Sequence, residues 1–292
     1  MRFEAYSQYR KKVFILKNYK IGLQLFSVRD EMAKDVKATL KKVKEIGYDY
    51  VEFAGYFDHS AEDLRAMLDE IGLTAISVHQ KVDLYLEKGQ EAADYMKTLG
   101  VKYSVVPWYD KSKLAGTAGW ENTVKEFAEV SKLLSDNGIQ MCYHNHDFEF
   151  NTFEGKYLLD ILYEVFGKGE IDPELDLCWV HYAGLNPAEY LVKYADRMEI
   201  IHFKDFVCKK LGGGPVYALV DNSGKPQGGK SREETGFEFR PLGDGIQNFP
   251  AILEALEKTN VEYIIVEQDQ SYDTPSLEAA AKSRAYLKTL GL

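Results

Sequence analysis

The sequence is short of cysteine and has no long apolar run. Its 292 residues contain three cysteines, Cys142, Cys178 and Cys208, too few for the disulfide framework of a chain this long. We therefore expect a protein of a reducing compartment, the cytoplasm. No run reaches the ~18 consecutive apolar residues that a transmembrane helix requires, so we expect no membrane partner.

Positive charge is also scarce. Lysine and arginine total 36 against 46 aspartates and glutamates, which gives a formal net charge of −10. Nucleic-acid binding requires a basic face, so this balance argues against a nucleic-acid partner. With 45% hydrophobic and 28% charged residues, the composition is that of an ordinary globular protein. Disordered, collagen-like and coiled-coil structures are excluded.

The first twenty residues differ from the rest of the chain. They carry several lysines and arginines, and their longest apolar run covers residues 13–16. A secretory signal needs an apolar stretch of about 7–15 residues, so an export signal is not expected. We predict an N-terminal arm over residues 1–20 and one domain over residues 21–292.

The domain alternates between two sequence patterns. Short apolar runs predict eight buried strands at residues 21–26, 50–53, 74–79, 103–107, 140–143, 174–178, 200–203 and 263–267. Amphipathic stretches predict helices at residues 36–46, 61–71, 90–99, 122–137, 157–166, 187–194, 249–258 and 276–290. This order is typical of a parallel sheet with helices outside it.

Glycines mark the joints of this pattern. Gly47, Gly72, Gly100 and Gly138 each follow a predicted helix and precede a strand, where a left-handed C-cap is needed. Eight strand–helix units close naturally into a single (β/α)8 TIM barrel, which is the predicted fold. A doubly wound open sheet is the alternative, but no Gly-x-Gly-x-x-Gly motif follows the first strand.

One segment interrupts the pattern, a long Gly-rich loop after strand seven, over residues 208–243. Its glycines and prolines predict that it contains no helix. It lies on the face where TIM barrels build their active sites, and long loops are usually functional or disordered. A loop that covers the substrate and a passive insertion are the two interpretations.

Ionisable and aromatic side chains are found where the predicted strands end. They are Glu52, His79, Trp108, His144, His146, Glu149, Asp176, His202, Lys204, Asp205, Glu267 and Asp269. Charges in a barrel core are costly unless they are paired, so charged residues at successive strand ends call for a shared partner. A divalent cation can compensate several carboxylates at once. The pattern predicts a metal site, with a hydrogen-bonded polar network as the alternative.

Six segments carry a family resemblance: IGLQLFSVR at 21–29, YHNHDFEF at 143–150, LDLCWV at 175–180, IHFKD at 201–205, PLGDG at 241–245 and VEQD at 266–269. Together they resemble the sugar phosphate isomerase/epimerase family of xylose isomerase-like TIM barrels, a superfamily that also includes endonuclease IV. The resemblance spans nearly the whole domain. It is specific for the family and not for a substrate.

The resemblance implies a divalent metal, most commonly Mn²⁺ or Mg²⁺, and Co²⁺ or Zn²⁺ in some members. Its implied ligands are Asp176, His202, Glu267 and one residue after strand five. The ligand Glu of ketose epimerases is matched here to Tyr143, a poor ligand. We expect Glu149 to supply the fourth ligand instead, with His144, His146 or additional water as alternatives.

The resemblance also implies proton transfer beside the carbonyl of a sugar. His146, Lys204 and Glu267 are the expected catalytic residues, with Glu149 as another candidate base. The expected substrate contacts are Glu52, His79, Trp108, Trp179 and Asp205. For the two tryptophans, a plain core role is the alternative to stacking on a sugar.

A sugar isomerase or epimerase is the first functional prediction. A lyase or dehydratase acting on a keto-sugar, keto-glycoside or keto-inositol is the alternative, because the same proton abstraction serves both. A non-catalytic carbohydrate-binding barrel is a candidate from another class. Six histidines and the net charge of −10 argue against a multi-zinc phosphodiester hydrolase. The oligomeric state stays open, a homo-oligomer included.

Overall fold

Eight short parallel strands close into a barrel in the computed structural model, which describes residues 17–212, 219–220, 226–227 and 232–292. The strands are β1 Lys20–Gln24, β2 Tyr50–Phe53, β3 Thr74–His79, β4 Tyr103–Val106, β5 Gln140–His144, β6 Asp172–Asp176, β7 Ile200–Phe203 and β8 Tyr263–Val266. Each strand pairs with its neighbours in sequence, and β1 pairs with β8. The predicted (β/α)8 barrel is confirmed. Of the predicted N-terminal arm, residues 1–16 lie outside the described residues.

Helices connect the strands around the outside. Their bounds are Arg29–Met32, Val36–Ile46, Ala61–Ile71, Val82–Lys88, Gln90–Leu99, Trp120–Asp136, Leu158–Val165, Leu177–Tyr182, Pro187–Lys193, Arg232–Thr235, Phe249–Leu256 and Ser276–Thr289. Helices that end at Gly47, Gly72 and Gly100 have these glycines in the left-handed conformation, as the sequence pattern predicts. None of the helices in the described ranges combines the length and the hydropathy that crossing a bilayer requires.

Two of the predicted strands end two residues earlier than expected. Strand β1 stops at Gln24, whose side chain accepts a hydrogen bond from Phe26 N and starts a 3-10 turn. Strand β6 stops at Asp176, whose carboxylate caps a short helix by accepting from Cys178 N at 2.9 Å. A short apolar run is compatible with either a buried strand or a buried helix. The sequence pattern therefore could not show where these two strands end.

The barrel interior is divided into two layers. Alternate strand residues face inward, and seven of them form an apolar cluster in the lower part of the barrel: Ile76, Tyr103, Val105, Cys142, Ile200, Tyr263 and Ile265. Their neighbours, such as Ile201 and Phe203, pack in the larger core between the strands and the helices. Inward-facing residues nearer the carboxyl ends of the strands are polar, and they form the site described below.

Part of the segment after β7 forms a small antiparallel sheet. Strand Asp205–Val207 pairs antiparallel with Glu238–Arg240, and the helix Arg232–Thr235 precedes that returning strand. The prediction that this segment contains no helix is therefore wrong. Phe237 and Phe239 are fully buried there, which the count of glycines and prolines did not reveal. Residues 213–218, 221–225 and 228–231 of the predicted Gly-rich loop lie outside the described residues, so its role as a cover stays a prediction.

Gly22 makes room for the apolar layer of the barrel. A Cβ atom at this position would lie 2.6 Å from Ile265 Cδ1 and 3.3 Å from Tyr50 Cβ. We expect Gly22→Ala to lower the free energy of unfolding by about 1–3 kcal/mol, the usual cost of overpacking. Chemical denaturation measures the change.

Ile265→Val should relieve this overpacking, because it removes the Cδ1 methyl group that the new Cβ would contact. The double variant should recover part of the loss, so the double-mutant cycle should give a favourable coupling energy. Additive destabilisation in that cycle would show that the contact with Ile265 is not the cause.

Candidate metal centre

A layer of ionisable side chains lies directly above the apolar cluster, at the carboxyl ends of the strands. We call it the polar cluster, and its members are Glu52, His79, His144, Glu174, Asp176, His202, Lys204 and Glu267. Apart from His79, whose side chain is 9% exposed, all of these side chains are at most 5% exposed. Barrel closure thus brings together charges that are up to about 200 residues apart in the sequence.

Four members of the polar cluster form a set that can hold a cation. His144, Asp176, His202 and Glu267 each offer one ligand atom, and these atoms lie within 4.8 Å of one another. His144 Nε2 is 3.5 Å from Asp176 Oδ2, and His202 Nδ1 is 2.9 Å from Glu267 Oε2. Two imidazoles and two carboxylates make a donor set that fits a divalent metal. We call these four residues the metal set.

Lys204 lies against the metal set. Its Nζ is 2.9 Å from Asp176 Oδ2, 2.7 Å from Glu267 Oε2 and 2.9 Å from Asp269 Oδ1. Burial opposes the charge of the ammonium group, but the three carboxylates outweigh it and hold its pKa well above the usual value. Burial likewise opposes ionisation of Glu267, whereas Lys204 and His202 lower its pKa. Lys204 is therefore a permanent cation beside the metal set.

Two more carboxylates, Glu52 and Glu174, lie on the far side of the metal set. His79 Nε2 bridges them, 3.1 Å from Glu52 Oε1 and 2.8 Å from Glu174 Oε2. Burial lowers the pKa of His79, but the charges of Glu52 and Glu174 outweigh it and raise that pKa to about 10. Burial, together with the charge of Glu52, raises the pKa of Glu174 to about 7.

The polar cluster carries more carboxylates than cations. With Asp269 it contains five carboxyl groups, while Lys204 is the one lysine or arginine among these residues. Glu52 Oε2 and Glu174 Oε1 are buried and have no hydrogen-bond partner in the described part of the chain. Buried carboxylates without partners are costly. An added divalent charge would reduce that cost, so the residues present fit a metal.

Glu149 is not part of the metal set. Its carboxyl group accepts hydrogen bonds from Tyr143 Oη at 2.7 Å and from His146 N at 2.9 Å, and it lines a small apolar cavity with Phe127 and Leu162. Burial raises the pKa of this carboxyl group to about 8. The expected fourth ligand is thus placed on the helix side of β5, outside the barrel interior.

Strand alternation explains why the metal set contains His144 and not Glu149. Tyr143 packs in the outer core, so the inward position at the end of this strand belongs to His144. The resemblance matches the ligand of ketose epimerases to Tyr143, one residue before the side chain that faces the barrel interior. His144 was among the alternatives for the fourth ligand, and the structure brings it together with Asp176, His202 and Glu267. His146 lies next to it, with ring centroids 5.1 Å apart.

Asp205 organises the loop that follows β7. Its Oδ1 accepts from Phe206 N and Gln247 N at 2.9 and 3.1 Å, and its Oδ2 accepts from Gly243 N and Gly245 N at 2.9 and 3.0 Å. Both carboxylate oxygens are therefore committed to backbone N–H groups. Asp205 thus serves the turn that follows the strand, and its expected contact with a substrate stays a prediction.

The remaining expected substrate contacts lie in different surroundings. Glu52 and His79 point into the polar cluster, as described above. Trp179 is fully buried and stacks on Phe237 at 5.2 Å, with Lys204 Nζ 5.7 Å from its ring centroid. Trp108 is half-buried after β4, and Lys81 Nζ lies 4.8 Å from its ring centroid. Trp108 therefore keeps a partly open face, whereas Trp179 is packed in protein.

The sequence analysis missed Glu174 and Gln24. Glu174 contacts His79 and His144, and Gln24 Nε2 donates to Glu52 Oε1 at 2.7 Å. A signal for Glu174 existed, because it precedes Asp176 by two residues in one strand, and residues two apart face the same side. By the same rule, Lys204 and His202 face the same side.

The fold agrees with comparisons to known proteins. Residues 40–290 match a family model described as xylose isomerase-like TIM barrel. A protein named inosose dehydratase from Geobacillus kaustophilus is 24% identical over 261 residues, which are 79% of this chain and 79% of that protein.

Two solved structures show the same fold. A sugar phosphate isomerase/epimerase from Parabacteroides distasonis superposes with a TM-score of 0.72 at 21% identity, over 94% of this chain and 95% of that one. The IOLI protein, crystallised with a zinc atom, superposes with a TM-score of 0.67 at 19% identity, over 93% and 97% of the two chains.

The buried carboxyl group of Glu149 predicts a pH dependence of stability. Its pKa rises from 4.5 to about 8 on folding, so the folded protein binds the proton more tightly than the unfolded chain. The stability that this proton contributes is full below about pH 4.5 and is lost as the pH rises through about 8. Relative to Glu149→Gln, which cannot ionise, the wild type should lose stability over this range.

Thermal unfolding of both proteins at several pH values measures this difference. Glu129→Gln, on the exposed face of the helix Trp120–Asp136, is the control and should follow the wild type. Parallel stability curves for wild type and Glu149→Gln would contradict the raised pKa.

Proposed function

The chain belongs to the xylose isomerase-like TIM barrel family, and from that premise we propose that it is a divalent-metal-dependent dehydratase of keto-sugars or keto-inositols. The observation that carries the proposal is the convergence of His144, Asp176, His202 and Glu267 beside Lys204 and His146. Such a site serves reactions in which a proton leaves a carbon next to a carbonyl group.

The metal set defines which ions are suitable. A divalent cation held there would act as a Lewis acid and stabilise negative charge that develops on the substrate's carbonyl oxygen. Imidazole ligands suit Zn²⁺ and similar ions, while carboxylates suit Mn²⁺ and Mg²⁺. The mixed set therefore favours Mn²⁺, Co²⁺ or Zn²⁺ over Mg²⁺, which prefers oxygen ligands and water.

His146 is the proposed base. Burial and the nearby Lys204 charge lower its pKa well below the usual value, so its imidazole is neutral at pH 7 and can accept a proton. Its ring lies beside His144 and stacks on Phe148 with centroids 5.8 Å apart. These contacts hold the imidazole at the edge of the metal set.

Lys204 is the proposed electrostatic partner of the reaction. Its ammonium group balances negative charge on the substrate oxygen as the C–H bond breaks. In dehydration, the C–H electron pair forms the new C=C bond, the β-hydroxyl C–O bond breaks, and the hydroxyl leaves as water with the proton that His146 accepted. Glu267 lies 2.7 Å from the Lys204 ammonium group and would also hold the cation.

Isomerisation or epimerisation is the second candidate, since the proton can instead return to carbon. A solved structure named sugar phosphate isomerase/epimerase supports it at the level of the fold. The relative named inosose dehydratase, similar over 79% of both chains, favours elimination. A non-catalytic carbohydrate-binding barrel is the third candidate. The polar cluster argues against it, because binding a sugar does not require so many buried charged side chains.

Loss of metal ligands should separate metal binding from catalysis. We expect His144→Ala and His202→Ala to abolish retention of Mn²⁺ or Zn²⁺ after dialysis, because each removes one of four ligands. His146→Ala should retain the metal and lower kcat by about 10²–10⁴-fold, the usual contribution of a general base. Elemental analysis and steady-state kinetics measure the two effects, and circular dichroism controls for folding.

Metal loss in His146→Ala together with full retention in His144→Ala would mean that His146 is the metal ligand and that His144 is not. A wild-type protein that retains no metal and gains no thermal stability from Mn²⁺ would favour the carbohydrate-binding reading.

The products distinguish elimination from isomerisation. We expect incubation with Mn²⁺ and a panel of keto-inositols, keto-sugars and keto-glycosides to yield an α,β-unsaturated ketone, seen as new ultraviolet absorbance and as vinyl protons by NMR. The reaction is run in D₂O, and His146→Ala is the control. Deuterium incorporated beside the carbonyl group without loss of a substituent would support the isomerase instead.

A further inference from the structure

In both imidazoles of the metal set, each ring nitrogen faces a carboxylate. The nitrogen that points to the metal set is Nε2 in His144 and Nδ1 in His202. His144 directs Nε2 toward Asp176 and Nδ1 toward Glu174. His202 directs Nδ1 toward Glu267 and Nε2 toward Glu52. A metal ligand must offer a nitrogen lone pair, so the tautomer of each ring decides whether it can bind.

Glu174 controls the tautomer of His144. Its Oε2 faces three ring nitrogens: His79 Nε2 at 2.8 Å, His144 Nδ1 at 3.1 Å and His202 Nε2 at 3.3 Å. An oxygen that faces three imidazole nitrogens can satisfy them best as an acceptor. His144 Nδ1 must then carry the hydrogen, and Nε2 keeps its lone pair on the side of the metal set.

Glu52 does the same for His202. Its Oε1 is 2.7 Å from His202 Nε2 and also accepts from Gln24 Nε2 at 2.7 Å. Glu52 therefore holds the hydrogen on Nε2, and Nδ1, which lies 2.9 Å from Glu267 Oε2, is the nitrogen at which a cation would take the place of a hydrogen. Glu52 and Glu174 are both fully buried, so water does not compete for these hydrogen bonds.

We propose that Glu174 and Glu52 are positioning residues that hold His144 as the Nδ1–H tautomer and His202 as the Nε2–H tautomer, so that both rings are ready for a divalent cation. His79 fixes the two carboxylates by bridging them. A carboxylate behind a ligating histidine fixes the ring and makes it a stronger donor. The inference rests on the metal site of the proposed function and adds what sets its affinity.

A second cation among His79, His144, Glu174 and His202 is the competing interpretation, because their ligand atoms also lie within 4.8 Å of one another. It would require both His144 and His202 to bridge two metals as imidazolates. The hydrogen-bond distances of 2.7–3.1 Å between these rings and the carboxylates favour N–H donors instead. The number of ions bound per chain decides between the two.

The tautomers of the wild-type protein are the direct test. With the protein ¹⁵N-labelled at histidine and loaded with Zn²⁺, two-bond ¹⁵N–¹H spectra should show His144 protonated on Nδ1 and His202 protonated on Nε2. His144→Gln and His202→Gln assign the signals. The opposite tautomer at either ring in the Zn²⁺-loaded protein would overturn the proposal.

Glu174→Gln tests the consequence for affinity. The amide of glutamine can donate to His144 Nδ1, which moves the ring hydrogen to Nε2 and blocks the lone pair. We expect Co²⁺ and Zn²⁺ affinity to fall by about 10–100-fold, measured by competition with a chelator. The visible spectrum of bound Co²⁺ should also change, which a purely structural role would not require.

Glu149→Gln is the matched control, because Glu149 is an equally buried carboxyl group at the same barrel mouth that contacts no ring of the metal set. It should bind Co²⁺ with wild-type affinity. If Glu174→Gln does not fold, Glu52→Gln gives the same test at His202, and the wild-type tautomers stand independently.

The outcomes separate this inference from the proposed function. A wild type that binds no divalent ion refutes the metal-dependent function itself. A wild type that binds one ion, with equal affinity in Glu174→Gln, refutes only the positioning role. Two ions in the wild type and one in Glu174→Gln would make Glu174 a ligand and overturn the proposal.

Discussion

Mutual repulsion among buried carboxylates is the constraint on which the rest of this site depends. Glu52, Glu174 and Asp176 are fully buried, Glu267 is 5% exposed and Asp269 12% exposed. Buried carboxylates this close together repel one another strongly unless cations lie between them. Lys204 and the imidazole of His79 supply positive charge to this layer, and the metal set is the part of it where the proposed divalent cation would add more.

The fold keeps this layer dry from two sides. Below it, the aromatic and branched side chains around Tyr103 and Ile265 fill the barrel. Beside it, Trp179, Phe237 and Phe239 pack on one another and cover Lys204. Exclusion of water strengthens every charge interaction inside, which favours both tight metal binding and stabilisation of negative charge on a substrate.

The position of a residue along its strand decides whether it faces the proposed cation or an imidazole of the metal set. Residues two apart along one strand face the same way, so β6 supplies both Glu174 and Asp176, at two heights above the apolar core. The upper residue faces the proposed cation and the lower one faces the back of an imidazole. A ligand and the group that orients it thus come from one strand, which keeps their relative position constant.

Local periodicity in the sequence was enough for the architecture. The apolar runs and amphipathic stretches placed β2, β3 and β7 and the helices Val36–Ile46 and Ala61–Ile71 at their observed bounds, because strand and helix periods are properties of neighbouring residues. Strand ends such as Asp176 were missed, since an apolar run does not distinguish a strand from the first turn of a buried helix.

The sequence by itself also determined the acidic balance, and its family resemblance indicated three members of the metal set, Asp176, His202 and Glu267, which lie at or near the ends of successive strands. Only the tertiary structure decided that His144 completes the set, that Glu149 lies outside it and that Asp205 serves a turn. The physical reason is that these roles depend on which face of a strand a side chain occupies and on partners brought close by barrel closure. Glu52 and His202, 150 residues apart in sequence, meet at 2.7 Å only once the barrel has closed.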